Sequence, residues 1–94
     1  MALARVVTFE GVDDERMAGM TAQMREQGRP EELPATELVV LHDAAAQRAV
    51  VVLFFDSAED YEQGDAVLNA MPSSETPGQR ASVGRYEVAF RMTG

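Results

Sequence analysis

The stretch Val50–Gln63, "VVVLFFDSAEDYEQ", decides the fold. Its first six residues, Val50 to Phe55, are all apolar and rich in β-branched and aromatic side chains, which makes them a strand. A strand on the surface of a small domain is apolar on one side only. Here Ala49, Val51, Leu53 and Phe55 point one way, while Val50, Val52 and Phe54 point the other. Both faces therefore need cover. The acidic half of the stretch starts a helix: Asp56 with Glu59, and Ser57 with Asp60, form overlapping capping patterns, so Asp56 or Ser57 is its N-cap. Tyr61, Leu68 and Met71 share a face of that helix, with Gly64 on the same side, and Pro72 stops it. A helical glycine costs ~1 kcal/mol relative to alanine. At Gly64 that cost reads as tolerated rather than as a sign of close backbone approach.

Working outward, "ATELVVLH" (Ala35–His42) is a strand that turns through "DAAAQ" into Arg48–Phe55, a hairpin whose register the sequence leaves open. Its Leu38 and Val40 oppose Val39 and Leu41, so its two sides are apolar as well. Upstream, "LARVVTFE" (Leu3–Glu10) is a strand ended by Gly11. Asp13, Asp14 and Glu15 then suit a helix N-terminus. Met17, Met20 and Met24 recur at helical spacing as a core stripe, and Gly28 ends the helix before a loop punctuated by Pro30 and Pro34. Downstream, "SSETPGQRAS" reads as a polar loop and "VGRYEVAFRM" (Val83–Met92) as the last strand. Tyr86, Val88, Phe90 and Met92 occupy one side of it, and Arg85, Glu87, Ala89 and Arg91 the other.

The order is β-α-β-β-α-β over one domain, residues 1–94. This is an α+β, ferredoxin-like arrangement with a four-stranded antiparallel sheet carrying two helices on one face. The second sheet face stays apolar at its centre, a patch of the kind monomers avoid. The simplest cover is the same face of a second copy, giving a two-fold homodimer. A chain of 94 residues buries only ~60–65% of its unfolded surface, yet this one is 46% hydrophobic, which fits burial against a partner.

Composition excludes much chemistry. There is no Cys and no Lys, so thiolate nucleophiles, cysteine-held metals, Schiff bases and the P-loop lysine are out. A single histidine, His42, cannot build a multi-imidazole metal site, and no metal or other cofactor is expected. A net charge of −8 repels phosphate backbones and anionic membranes, so neither nucleic acid nor membrane is an expected partner. No apolar run approaches the ~20 residues of a membrane span, and the N-terminal residues lack a signal-peptide pattern; the chain reads as cytoplasmic.

At this point the chain resembles the dimeric α/β-barrel proteins, in particular the antibiotic-biosynthesis-monooxygenase-like group. The element order is shared, as is a third strand that ends in an aromatic and enters a "DSAED"-like helix start, here "FFDSAEDYEQ". The resemblance implies two sheets packed face to face into a barrel. It also implies a small aromatic or polyketide-like molecule bound between sheet and helices, with either cofactor-free oxygenase chemistry or haem binding and degradation. The Trp that several oxygenase members use is absent, and no Asn–Trp–His set can be matched.

Six residues are candidates for a site. His42 is the one side chain suited to proton transfer near neutral pH, provided it faces a cavity rather than solvent. Arg85 could hold a carboxylate bidentately if its face lines a pocket, against the ordinary reading of a solvated cross-strand charge. Arg5 joins it if the first and fourth strands are neighbours. Tyr61, Tyr86 and Asn69 could orient a ligand by hydrogen bonds, although both tyrosines sit on apolar faces that suit core packing. Two functions follow. One is a homodimer binding a small apolar or aromatic molecule, with monooxygenase-like or isomerase-like activity. The other is a non-catalytic accessory or regulatory ligand-binding module.

Overall fold

The computed structural model describes residues 2–28, 31–70 and 78–93. The elements are β1 (Leu3–Glu10), α1 (Asp14–Gln27), β2 (Glu37–Asp43), β3 (Arg48–Phe55), α2 (Ala58–Asn69) and β4 (Gln79–Glu87). All four strands form one antiparallel sheet in the order β2-β3-β1-β4. This is the ferredoxin-like arrangement, with β1 and β3 central. The expected Met71 and Pro72 at the end of α2, Pro30, and the "SSETP" stretch of the loop lie outside the described residues.

Local chemistry fixes the helix ends. Asp13 caps α1, its Oδ1 accepting from the Arg16 N–H at 2.8 Å. Gly28, at φ 71°, ends it and donates its N–H to the Met24 carbonyl. Of the two candidates at the start of α2, Ser57 is the cap: its Oγ accepts from the Asp60 N–H at 3.1 Å.

Register sorts the side chains. Leu3, Val7 and Phe9 of β1 stand opposite Phe55, Val51 and Ala49 of β3, and all six are buried beneath the helices with Leu53, Val12, Leu33, Ala35 and Tyr61. Ala4, Val6, Thr8, Val50, Val52, Phe54, Val39, Leu41 and Tyr86 are on the opposite, open face. The opening stretch thus does present apolar residues to both sides.

Four expectations need correction. The last strand is not Val83–Met92 but Gln79–Glu87, so the last four residues of the "polar loop" are strand and the final residues of the chain are not. The reason is pairing: β1 begins at Leu3, opposite Glu87, and past the Val88 N–H donating to the Ala2 carbonyl the described residues continue no ladder. Val88–Thr93 instead runs against the open face, where Arg91 lies 4.3 Å over the Phe54 ring and ion-pairs with Glu37. Next, β2 starts at Glu37 rather than Ala35, because its ladder with β3 begins at Glu37 opposite Phe54, the Thr36 N–H closing it on the Phe54 carbonyl. Third, the methionine stripe is not core: α1 has no buried residue, and of its methionines only Met17 packs against the buried cluster. Finally, Gly64 is a close approach and not a tolerated defect. A Cβ there would lie 2.6 Å from Cζ of Phe55, whose ring is fully buried.

Candidate functional site

The seam between α2 and the β1–β4 edge gathers most of the polar chemistry. Tyr61, Asp65 and Asn69 recur every four residues along α2 and so project from one side of it. Arg5 on β1 sits directly opposite Arg85 on β4, and both face α2. Between Thr8 and Phe9 the pairing slips by one: Thr8 opposes Ser82, but Phe9 opposes Arg80. This bulge at Ala81 turns Arg80 to the side that carries Arg85, although five positions separate the two.

Arg5 is only 2% exposed, an ionised group in the core that must be compensated. Its Nε donates to Asp65 Oδ1 at 2.8 Å and its Nη2 to Asn69 Oδ1 at 3.1 Å. Arg80 Nη2 donates to the same Asn69 oxygen at 2.8 Å, and Asn69 Nδ2 donates to Asp65 Oδ2 at 3.2 Å. No buried side-chain nitrogen or oxygen among the described residues lacks a partner. Arg85 takes a different contact: its guanidinium carbon is 4.7 Å from the centroid of the Tyr61 ring, a cation–π arrangement. Tyr61 in turn packs edge-on against Phe55 with ring centroids 5.4 Å apart. Burial, then the Asp65 charge, push the Tyr61 phenol above its ordinary value of 10.0, against the opposing pull of Arg5 and Arg85. At neutral pH Tyr61 is therefore a hydrogen-bond donor and not a base.

The structure brings Arg5, Tyr61, Asn69 and Arg85 together and leaves His42 and Tyr86 apart. His42 lies on β2, at the sheet edge opposite β4 and roughly 14 Å away across three strand spacings. Its Nε2 is 2.9 Å from the Val12 carbonyl and its Nδ1 is 4.0 Å from Asp14 Oδ1, so it joins the start of α1 to the sheet. Tyr86 does not pack in the core. It is 59% exposed on the open face, with its ring lying over Gly84. Sequence reasoning missed Asp65 and Arg80. The four-residue spacing from Tyr61 to Asn69 pointed to Asp65, whereas nothing in the sequence announces the bulge that aims Arg80. Among the described residues no group of His, Cys, Asp or Glu could hold a metal ion, and no helix is long and apolar enough to cross a membrane.

A crystal structure from Chloroflexus aurantiacus J-10-fl, named for antibiotic biosynthesis monooxygenase, superposes on the whole chain and over its own whole length. The TM-score is 0.63 at 15% identity. The chain has the antibiotic-biosynthesis-monooxygenase-like fold. At that identity the likeness carries architecture alone. No family model matches the sequence, and no curated protein does. Within this monooxygenase-like fold, the arginine-rich seam is a property of the chain's own residues.

Proposed function

We propose that the protein is a cytoplasmic homodimer that binds a small apolar or aromatic molecule at the α2–β4 seam, with Tyr61 and Arg85 as its contact residues and monooxygenase-like or isomerase-like chemistry as its activity. The observation that carries this reading is the meeting of Arg85 and Tyr61 at an open edge, beside a network that holds Arg5, Asp65 and Asn69 fixed. Rigid support under an exposed guanidinium seated on a buried aromatic ring is what a binding site needs. The fold shared with a protein named as a monooxygenase supports the same class of reaction. The apolar open face, with Leu41 54% exposed, supports a second copy as its cover.

A second reading, a non-catalytic accessory module, draws on the complete hydrogen bonding of Arg5, Asp65 and Asn69, since satisfied networks of this kind also serve structure alone. Native mass spectrometry of gently purified protein separates the two. A dimer carrying additional non-covalent mass, lost in a Tyr61→Ala variant that remains dimeric, is the expected result. A bare dimer that takes up no aromatic compound favours the accessory module. A monomer at micromolar concentration overturns the assembly.

A further inference from the structure

The geometry points to an organic acid as the ligand class: the β4 shelf binds a small aromatic or apolar carboxylate, its carboxylate held by Arg85 with help from Arg80 and its apolar body laid along Val83. This deepens the ligand site proposed above and rests on it.

Charge at the seam is the first ground. The chain carries −8 overall, yet three of its eight arginines, Arg5, Arg80 and Arg85, meet here around a single carboxylate, Asp65. That carboxylate is already committed to Arg5 through Nε. The ion pairs among the described residues involve Arg5, His42, Arg48 and Arg91; neither Arg80 nor Arg85 has a carboxylate within reach. Glu87 stands two residues beyond Arg85 on the same side of β4 and makes no ion pair with it. Arg80 donates to a neutral amide oxygen and Arg85 faces an aromatic ring. Among the described residues these two cations at one edge are thus paired with no anion, in a protein with carboxylates to spare. A guanidinium presents a planar fork of donors that fits a carboxylate in a bidentate manner.

Access is the second ground. α2 packs chiefly on β1 and β3, and the helix-side residues Arg80, Val83 and Arg85 of β4 stay exposed among the described residues, Arg80 and Arg85 touching α2 through their side-chain tips. Along this shelf Arg80, Val83 and Arg85 all point the same way, and Val83 is 42% exposed between the two arginines. An apolar strip flanked by unneutralised cations matches a molecule with an apolar body and a negative group. A bare inorganic anion would leave Val83 unused.

Position is the third. Arg85 is opposite the buried Arg5, whose own bonds to Asp65 and Asn69 hold that part of the seam. Like charges across the strand pair repel, and the anion beside them, Asp65, is bonded to Arg5 and not to Arg85. A carboxylate on Arg85 relieves that repulsion.

The test is a backbone-amide NMR titration of the full chain with sodium benzoate, and with benzamide and inorganic phosphate as separate arms. Benzoate is expected to shift the amides of β4 and of the Tyr61–Asn69 segment. Benzamide, the neutral isostere, and phosphate, which lacks the apolar body, each bind about tenfold or more weakly. Arg85→Gln weakens benzoate by a similar factor. It is exposed on an edge strand, so the fold survives the change. Arg48→Gln removes a guanidinium that pairs with Glu10 across β1 and β3, away from the seam, and leaves benzoate binding unchanged. Equal affinity for benzamide and benzoate, or undiminished benzoate binding in Arg85→Gln, overturns the carboxylate and leaves the ligand site standing. Phosphate binding as tightly as benzoate overturns the apolar body. If neither aromatic compound shifts the seam, both this inference and the ligand site fall.

Discussion

Single residues set how closely the layers of this molecule meet. Gly64 is the clearest case. Alanine is normally the better helix residue by ~1 kcal/mol, but a Cβ at Gly64 runs into the ring of Phe55, which the core holds from every side. Overpacking of that kind costs roughly 1–3 kcal/mol, so Gly64→Ala is expected to lower stability on balance. Urea denaturation of the variant measures it, and a gain in stability would mean that α2 shifts freely on the sheet. Tyr61 gives a second prediction through its proton. Its folded pKa is raised above 10.0 by burial and by Asp65. Below pH 10 both folded and unfolded chains keep the proton, so nothing is gained or lost. As pH rises past the unfolded value the unfolded chain sheds its proton first, and stability falls until the folded pKa is passed. In a Tyr86→Phe background, phenolate absorbance should therefore titrate with a midpoint above 10.0, and Arg85→Gln should move it higher by removing a lowering charge. A midpoint at or below 10.0 contradicts the buried position of the ring.

At the scale of elements the two helices are unequal. α2 buries Tyr61 and Gly64 and is tied to the sheet by Arg5 and Arg80 through Asp65 and Asn69. α1 buries nothing and leans on the core through Met17, with His42 and Asp13 holding its start. Amides in segments with few buried contacts open first. Hydrogen exchange should consequently run faster across the middle of α1 than across α2, by about tenfold or more for an opening difference near 1.4 kcal/mol. Equal protection would show that α1 is covered by something beyond this chain. Much of this was readable beforehand. β1 and β3 span the stretches read from the sequence, Leu3–Glu10 and Arg48–Phe55, and the first helix begins where its acidic start promised. The last strand was misplaced because alternation from Tyr86 to Met92 describes side chains, while a strand also requires a neighbour for its backbone, and β1 supplies none past Leu3.

For the whole molecule, the strand order leaves one broad face without helices. Val39, Leu41, Val50 and Val52 lie on it, while the chain's own Val88–Thr93 segment covers Phe54 through Arg91. Phe90 and Met92 in that segment remain 77% and 78% exposed. The homodimer proposed above places a second copy over this surface. Val52→Glu, at the centre of the open face, should then shift the sedimentation of the protein from dimer to monomer at micromolar concentration. Isolated exposed apolar residues would tolerate the charge with no change in assembly state, and a variant that sediments like the parent would place the contact elsewhere.

By itself the sequence determined the element order, the two-sided character of the strand Arg48–Phe55, and the exclusion of cysteine and lysine chemistry. These depend on local periodicity and on which atoms are present at all. It also placed Arg5 and Arg85 within reach of each other, since β1 and β4 are neighbours in this topology. Only the tertiary structure decided which of each strand's two sides the helices cover and which of them Arg80 joins. A single extra residue in β4 reverses the side on which Arg80 emerges, because strand side chains alternate with a period of two and a bulge resets the count. The same alternation put Tyr86 on the open face, and the strand order set His42 at the far edge, so the seam of Arg5, Tyr61, Asp65, Asn69, Arg80 and Arg85 exists through register and strand order and not through composition.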